Sequence, residues 1–181
     1  STLFPYTTLF RSRVIFMQIN SLTDFFIHSL SDIYSAEKQL TRALSKLARE
    51  SSNPELADAF KKHYEETQGQ IERLDQLIEA EPNIKLKRMK CHAMEGLIEE
   101  AGEVIEATEK GSVRDAGLIA AAQKVEHYEI ASYGTLCTLA SQLGLKKAHD
   151  LLSATLEEEK TTDNLLTKIA TSSINKKAEG K

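Results

Sequence analysis

The sequence predicts an all-α protein: a four-helix bundle with an extra helix in the crossover, five helices in all. Three observations predict it. Apolar residues recur three and four positions apart over long runs, the period that places them on one face of a helix. The 181 residues include only three prolines and eight glycines, few enough to leave long elements uninterrupted. No stretch sustains strand-like alternation, and no Asn-Gly or Asp-Gly pair marks a hairpin. The length suits one domain with a sizeable core, and 41% hydrophobic with 28% charged residues is ordinary for a globular chain.

The first helix opens at Ser21, with Asp24 three residues on as in a capping box. Its stripe is Leu22, Phe26, Leu30, Ile33, Leu40, Leu44 and Leu47, and Glu37 fills the gap in it. Asn53-Pro54-Glu55 supplies a cap and a proline at the first helical position of the second helix. That helix carries Leu56, Phe60, His63, Glu66, Gln70, Leu74 and Leu77 on one face, and Glu81-Pro82-Asn83 breaks it. The third runs from about Leu86 to Glu109, with Met94, Leu97, Ile98, Ala101, Val104 and Ile105 on its apolar face. Lys110-Gly111-Ser112 ends it and begins the fourth, which Gly144 ends. The fourth has the stripe Leu118, Ala122, Val125, Ser132, Leu136, Ala140 and Leu143, with Glu126 and Glu129 three apart within it. The fifth, from near Lys146 to about Ile174, has Ala148, Leu152, Thr155, Leu166, Ile169 and Ala170 on one side, interrupted by Glu159 and Asp163.

The bundle therefore spans 17–174. Residues 1–16 show no helical period and read as a non-native or disordered extension, with Met17 as a more natural start. They make a poor signal peptide, because the apolar run is short and no small-residue cleavage site follows. Residues 175–181 read as a frayed polar tail. The net charge of -4, with no face-wide basic stripe, argues against nucleic acid as a partner. The basic run from Lys85 to Lys90 reads as a solvated helix start. No stretch reaches membrane-spanning length, and membrane is not expected as a partner. Cys91 and Cys137 lie among apolar residues and fit no metal-type pair, so free buried thiols and a cytoplasmic location are expected.

The acids carry the chemistry. Glu37, Glu66, the pair Glu126 and Glu129, and the pair Glu159 and Asp163 each lie on the apolar stripe of a different helix. A buried carboxylate is costly, and two of them one turn apart also repel. Either they share protons or a cation sits among them. Inward positions of a bundle meet at one level, and hard oxygen ligands suit iron or manganese rather than copper or zinc. Two such ions are expected, with Glu126 and Glu159 bridging and Glu37, Glu66, Glu129 and Asp163 terminal. Any one of these acids alone would read as a stripe-edge residue with its head in water; the pattern on four helices is the signal. Glu65, Glu72, Glu99, Glu100, Glu103, Glu157 and Glu158 sit off the stripes and read as solvated. His63 reads as a hydrogen-bonded core residue rather than a ligand, and His127 points away. Tyr34, Tyr128 and Tyr133 read as core fillers that could donate to carboxylates. Gln70, four residues after Glu66, could ligate weakly or only hydrogen-bond.

Tyr34-Ser35-Ala36-Glu37-Lys38-Gln39-Leu40, Glu65-Glu66-Thr67 with Gln70, Met94-Glu95-Gly96-Leu97, Val125-Glu126-His127-Tyr128-Glu129 and Glu157-Glu158-Glu159-Lys160 resemble the YciF-type bacterial stress proteins over essentially all of 17–181. The resemblance implies a ferritin-like, dimeric, stress-associated protein. The acid pattern is also similar to rubrerythrin's di-iron domain. Glu126 and Glu129 match its paired glutamates. Glu159 matches the following motif, although Asp163 stands where histidine would be. The Glu-x-x-His of ferritin-like helices also fails after Glu66, where Gly69 follows by three. Rubrerythrin's cysteine-rich iron domain has no counterpart. With acid on four stripes, the first expectation is a ferritin-like homodimer with a carboxylate di-metal site acting on peroxide, oxygen or iron. The missing histidines leave a second expectation, a dimeric interaction or structural protein with a degenerate site.

Overall fold

The computed structural model describes residues 18–180, and the extension expected over 1–16 lies outside them. Five long helices follow in order: α1 (Leu22–Glu50), α2 (Pro54–Ala80), α3 (His92–Ala107), α4 (Ser112–Gln142) and α5 (Lys146–Ile169). A π-helical turn, Ala170–Ile174, and a short α6, Asn175–Ala178, complete the chain. The segment expected as a frayed tail thus continues as a helical turn against α4, with Ile174 buried beneath it.

The caps are where local chemistry puts them. Ser21 accepts from the Asp24 amide at the start of α1, and Asn53 accepts from the Leu56 amide ahead of Pro54. Gly144 closes α4 with φ +72°, a left-handed conformation that a side chain would oppose.

α1, α2, α5 and α4 form a ring in which each packs on the next, and Phe26, Leu30, Ile33, Leu40, Leu44, Phe60, Leu74, Leu118, Leu136, Leu152 and Leu166 fill its interior. Neighbours run antiparallel. At one seam Asp115, opening α4, accepts from the Ser52 and Asn53 amides at 2.7 and 2.9 Å, where α1 ends and α2 begins. At another Arg73 of α2 reaches Thr155 of α5. Arg114, beside Asp115, ties the start of α4 to the ends of α1 and α3, donating to Glu50, to the Ile105 carbonyl and to the Thr108 carbonyl.

α3 lies outside the ring on α1 and α4, with Met94 and Ala101 buried and Leu97, Ile98, Val104 and Ile105 partly buried against the core. A Cβ on Gly117 would fall 2.6 Å from Val104 Cγ1; the bare glycine lets the two helices approach. α3 starts six residues later than the sequence suggests. The backbone before it is held extended by α1: Lys87 N–H donates to Ser31 Oγ at 2.9 Å and Cys91 N–H to Ser35 Oγ at 3.0 Å. Amides bound to side chains of another helix cannot enter a helical ladder. Both cysteines are free and buried. Among the described residues no helix is long and apolar enough to cross a membrane.

Candidate metal centre

Each helix of the ring sends at least one polar side chain inward at a common level. α1 brings Glu37, α2 His63, α4 the pair Glu126 and Glu129, and α5 Glu159, all buried. One ligand atom from each of His63, Glu126, Glu129 and Glu159 lies within 4.8 Å of the other three. That span is near what a single ion can bridge with bonds of about 2.0–2.2 Å. His63 Nε2 sits 3.2 Å from Glu126 Oε1. Glu37 borders the group and is held by Tyr133, whose buried hydroxyl donates to Oε1. Gln70 holds Glu159 from the other side, donating to Oε1 and also to Glu158 Oε2 at 3.1 Å.

The electrostatics follow from burial. Desolvation pushes Glu37 up to about 7, against the Tyr133 hydrogen bond that favours its anion. Burial and the neighbouring carboxylates push Glu129 and Glu159 well above the usual carboxylate range. Burial alone would lower His63, but Glu126, Glu37 and Glu66 outweigh it and raise it. Tyr133 is driven up by burial and by Glu37, so it remains a proton donor. Hydrogen bonds do not satisfy the cluster. Among the described residues, every buried side-chain polar atom without a hydrogen-bond partner belongs to it: Glu37 Oε2, both nitrogens of His63, Gln70 Oε1, Glu126 Oε2, both oxygens of Glu129, and Glu159 Oε2.

Of the six acids picked from sequence, the structure brings four together: Glu37, Glu126, Glu129 and Glu159. Glu66 stands at the rim, 24% exposed and 3.0 Å from Lys62. Asp163 faces the outer α4–α5 seam, 21% exposed, where it accepts from Gln123 at 3.1 Å and lies 3.5 Å from exposed His127. Their places are half-wet because each is one turn too far along its helix to reach the common level.

His63 takes the inward position on α2 instead. The signal was present: it shares the stripe with Glu66 and precedes it by three. The imidazole thus arrives in the order His-x-x-Glu, the reverse of the motif sought. The tyrosines do more than fill space. Tyr133 donates to Glu37, Tyr34 to Asp75 at 2.8 Å and Tyr128 to Asp32 at 2.5 Å. Glu158, read as solvated, is in fact gripped by Arg73 and Gln70. The Lys85–Lys90 run forms no helix start; its residues 86–90, with Lys38 and Arg42, line an open groove of about 690 Å³ beside α1.

Comparison with known proteins agrees with this architecture. The family profile described as Domain of unknown function (DUF892) matches residues 21–179. Protein YciF of Escherichia coli K12 is 69% identical over 165 residues, which is 91% of this chain and 99% of that one. The crystal structure of the E. coli stress protein YciF superposes with a TM-score of 0.85 at 69% identity, covering 87% of this chain and 99% of that one. YcfI of Rhodopseudomonas palustris, to which a structural role has been ascribed, superposes with a TM-score of 0.78 at 43% identity, covering 83% and 96%. A Xanthomonas campestris protein at 21% identity shares the fold, with a TM-score of 0.63 over 82% of this chain and 89% of that one. With the profile spanning almost the whole described chain, and YciF alike over nearly its full length, the chain belongs to the DUF892 family.

Proposed function

We propose that the chain is a stress-associated metal-binding protein in which Glu37, His63, Glu126, Glu129 and Glu159 hold iron or manganese within the bundle. The observation that carries this reading is the set of unpartnered buried polar atoms gathered at one level and nowhere else among the described residues. Each such atom costs about 1–3 kcal/mol when left unmet. A bundle that needed only packing would place leucines there. Carboxylate oxygens with one imidazole suit iron or manganese better than copper or zinc. The stress association rests on likeness to the E. coli stress protein YciF.

His63, Glu126, Glu129 and Glu159 suffice for one ion, and Glu37 adds a carboxylate toward a second. Bound iron or manganese would supply redox chemistry toward a small oxidant such as peroxide or dioxygen. The chain's own contribution is positional. Tyr133 fixes Glu37, Gln70 fixes Glu159, and the surrounding Leu40, Phe60 and Leu136 layers exclude water. The expected result for aerobically purified protein is iron or manganese on elemental analysis, followed by peroxide consumption that disappears with the metal. Metal without peroxide consumption would point to iron handling instead.

A second reading has its own support. Glu37, Glu129 and Glu159 are all pushed upward by burial, so protons could neutralise them without any cation. That fits a dimeric interaction or structural protein, and YcfI has been ascribed a structural role. Absence of metal after reconstitution with iron and manganese would favour it.

A further inference from the structure

The buried cluster meets solvent through one hydrogen-bonded line. Glu159, fully buried, accepts from Gln70, also fully buried. The same Gln70 nitrogen donates outward to Glu158 Oε2 at 3.1 Å. Glu158 is 28% exposed and is held by both terminal nitrogens of Arg73, itself 27% exposed. Arg73 is anchored in turn on Thr155 Oγ1 at 3.1 Å. Among the described residues, no other hydrogen bonds lead from the carboxylates of this cluster toward the surface.

The seam between α2 and α5 therefore grades from a half-wet ion pair to a buried amide to a buried acid. Buried Gln70 keeps its Oε1 without a partner, and so does Glu159 with its Oε2. Oxygen ligands are thus unspent along the line itself. At the mouth, the Arg73 guanidinium grips both oxygens of Glu158, a two-point ion pair at the half-wet end of the line. Lys62 and Glu66 flank the same seam, Lys62 acting on both acids.

We propose that Glu158 and Arg73 gate the route by which divalent cations reach the buried cluster. Glu158 is the first carboxylate to receive the ion, and Arg73 is the latch the ion displaces. Gln70, bridging Glu158 and Glu159, passes the cation from the outer acid to the inner one. This rests on the metal-binding reading above and adds how the site is filled. An arginine and a divalent cation compete for the same two oxygens, so loading requires the ion pair to open.

The probe is Co²⁺ alone, followed by its visible absorption after rapid mixing with metal-free protein. The expected result is a loading rate about tenfold lower in Glu158→Gln, where the attracting charge is gone, and higher in Arg73→Gln, where the latch is gone. Final amplitude should match the wild type in both, and Glu158→Asp should recover part of the rate. Opposite signs are the diagnostic feature, because merely loosening the α2–α5 seam would speed both variants. Equal rates in all proteins at full amplitude, or faster loading in both variants, would overturn the gate and leave the metal site standing. No Co²⁺ uptake by the wild type would overturn the metal reading and the gate with it.

Discussion

Glu129 is the residue with the most at stake. Both its oxygens are buried without a hydrogen-bond partner, and three other carboxylates bear on it. Without metal it is a liability that only a proton relieves; with metal it is a ligand. Glu129→Gln should therefore act in opposite directions on the two states. At pH 8 the metal-free variant should melt roughly 2–4 °C or more above wild type, corresponding to about 1 kcal/mol. Metal affinity should fall at least about tenfold, as expected for a lost ligand. A metal-free variant less stable than wild type at pH 8 would mean that Glu129 is not strained there. Tyr133 poses the complementary case. Its hydroxyl donates to Glu37, and Tyr133→Phe removes that donor from a fully buried acid. Thermal denaturation should show a loss of about 1–3 kcal/mol. A melting point unmoved by the substitution would show that the bond contributes nothing.

At the scale of elements, the α1–α2 turn depends on Asp115, a buried acid from a third helix that binds the Ser52 and Asn53 amides. Asp115→Ala strands both donors. A loss of about 1–3 kcal/mol is expected, read as a melting point lower by several degrees. An unchanged melting point would mean that water replaces the carboxylate freely. The helices themselves were legible in sequence because their signals are local: Ser21, Asn53-Pro54 and Gly144 mark ends, and stripes three and four apart mark faces. The start of α3 was not legible, since what unwinds residues 86–91 is Ser31 and Ser35 on α1, more than fifty positions away. The site divides in the same manner. Glu37, Glu126, Glu129 and Glu159 interrupt apolar stripes and could be picked out. On α2, His63 and Glu66 share one face, and only the axial level of the partner helices decides that the histidine enters. Arg73 and Glu158 lie off the stripes, and their grip across the seam depends on α2 and α5 being neighbours.

The whole bundle should carry the cluster's signature in its pH dependence. Glu37, Glu129 and Glu159 are raised above their ordinary values when folded. The native state therefore holds more protons than the unfolded chain from about pH 4.5 up through their folded values. His63 is raised as well, so its contribution is full below about pH 6.5, fades as the pH rises toward its folded value and is gone above it. All four act in one direction. Metal-free protein should lose stability as pH rises from about 5 to 8, contrary to the behaviour of chains whose acids are paired. Bound metal replaces those protons and should reverse the trend, giving its largest stabilisation at the alkaline end. At a hundredfold excess over Kd that stabilisation is about 2.7 kcal/mol, or roughly 5–10 °C in melting temperature. A metal-free melting point that climbs steadily from pH 5 to 8 would show that the buried acids are not raised.

The most direct measurement is equilibrium dialysis of metal-free protein against Mn²⁺ at pH 7.5, for the wild type and for Glu129→Gln, with bound metal counted per chain. A carboxylate and imidazole centre predicts at least one ion per chain in the wild type and marked loss in the variant. A wild type that retains no Mn²⁺, or a variant that binds as much as the wild type, would contradict it.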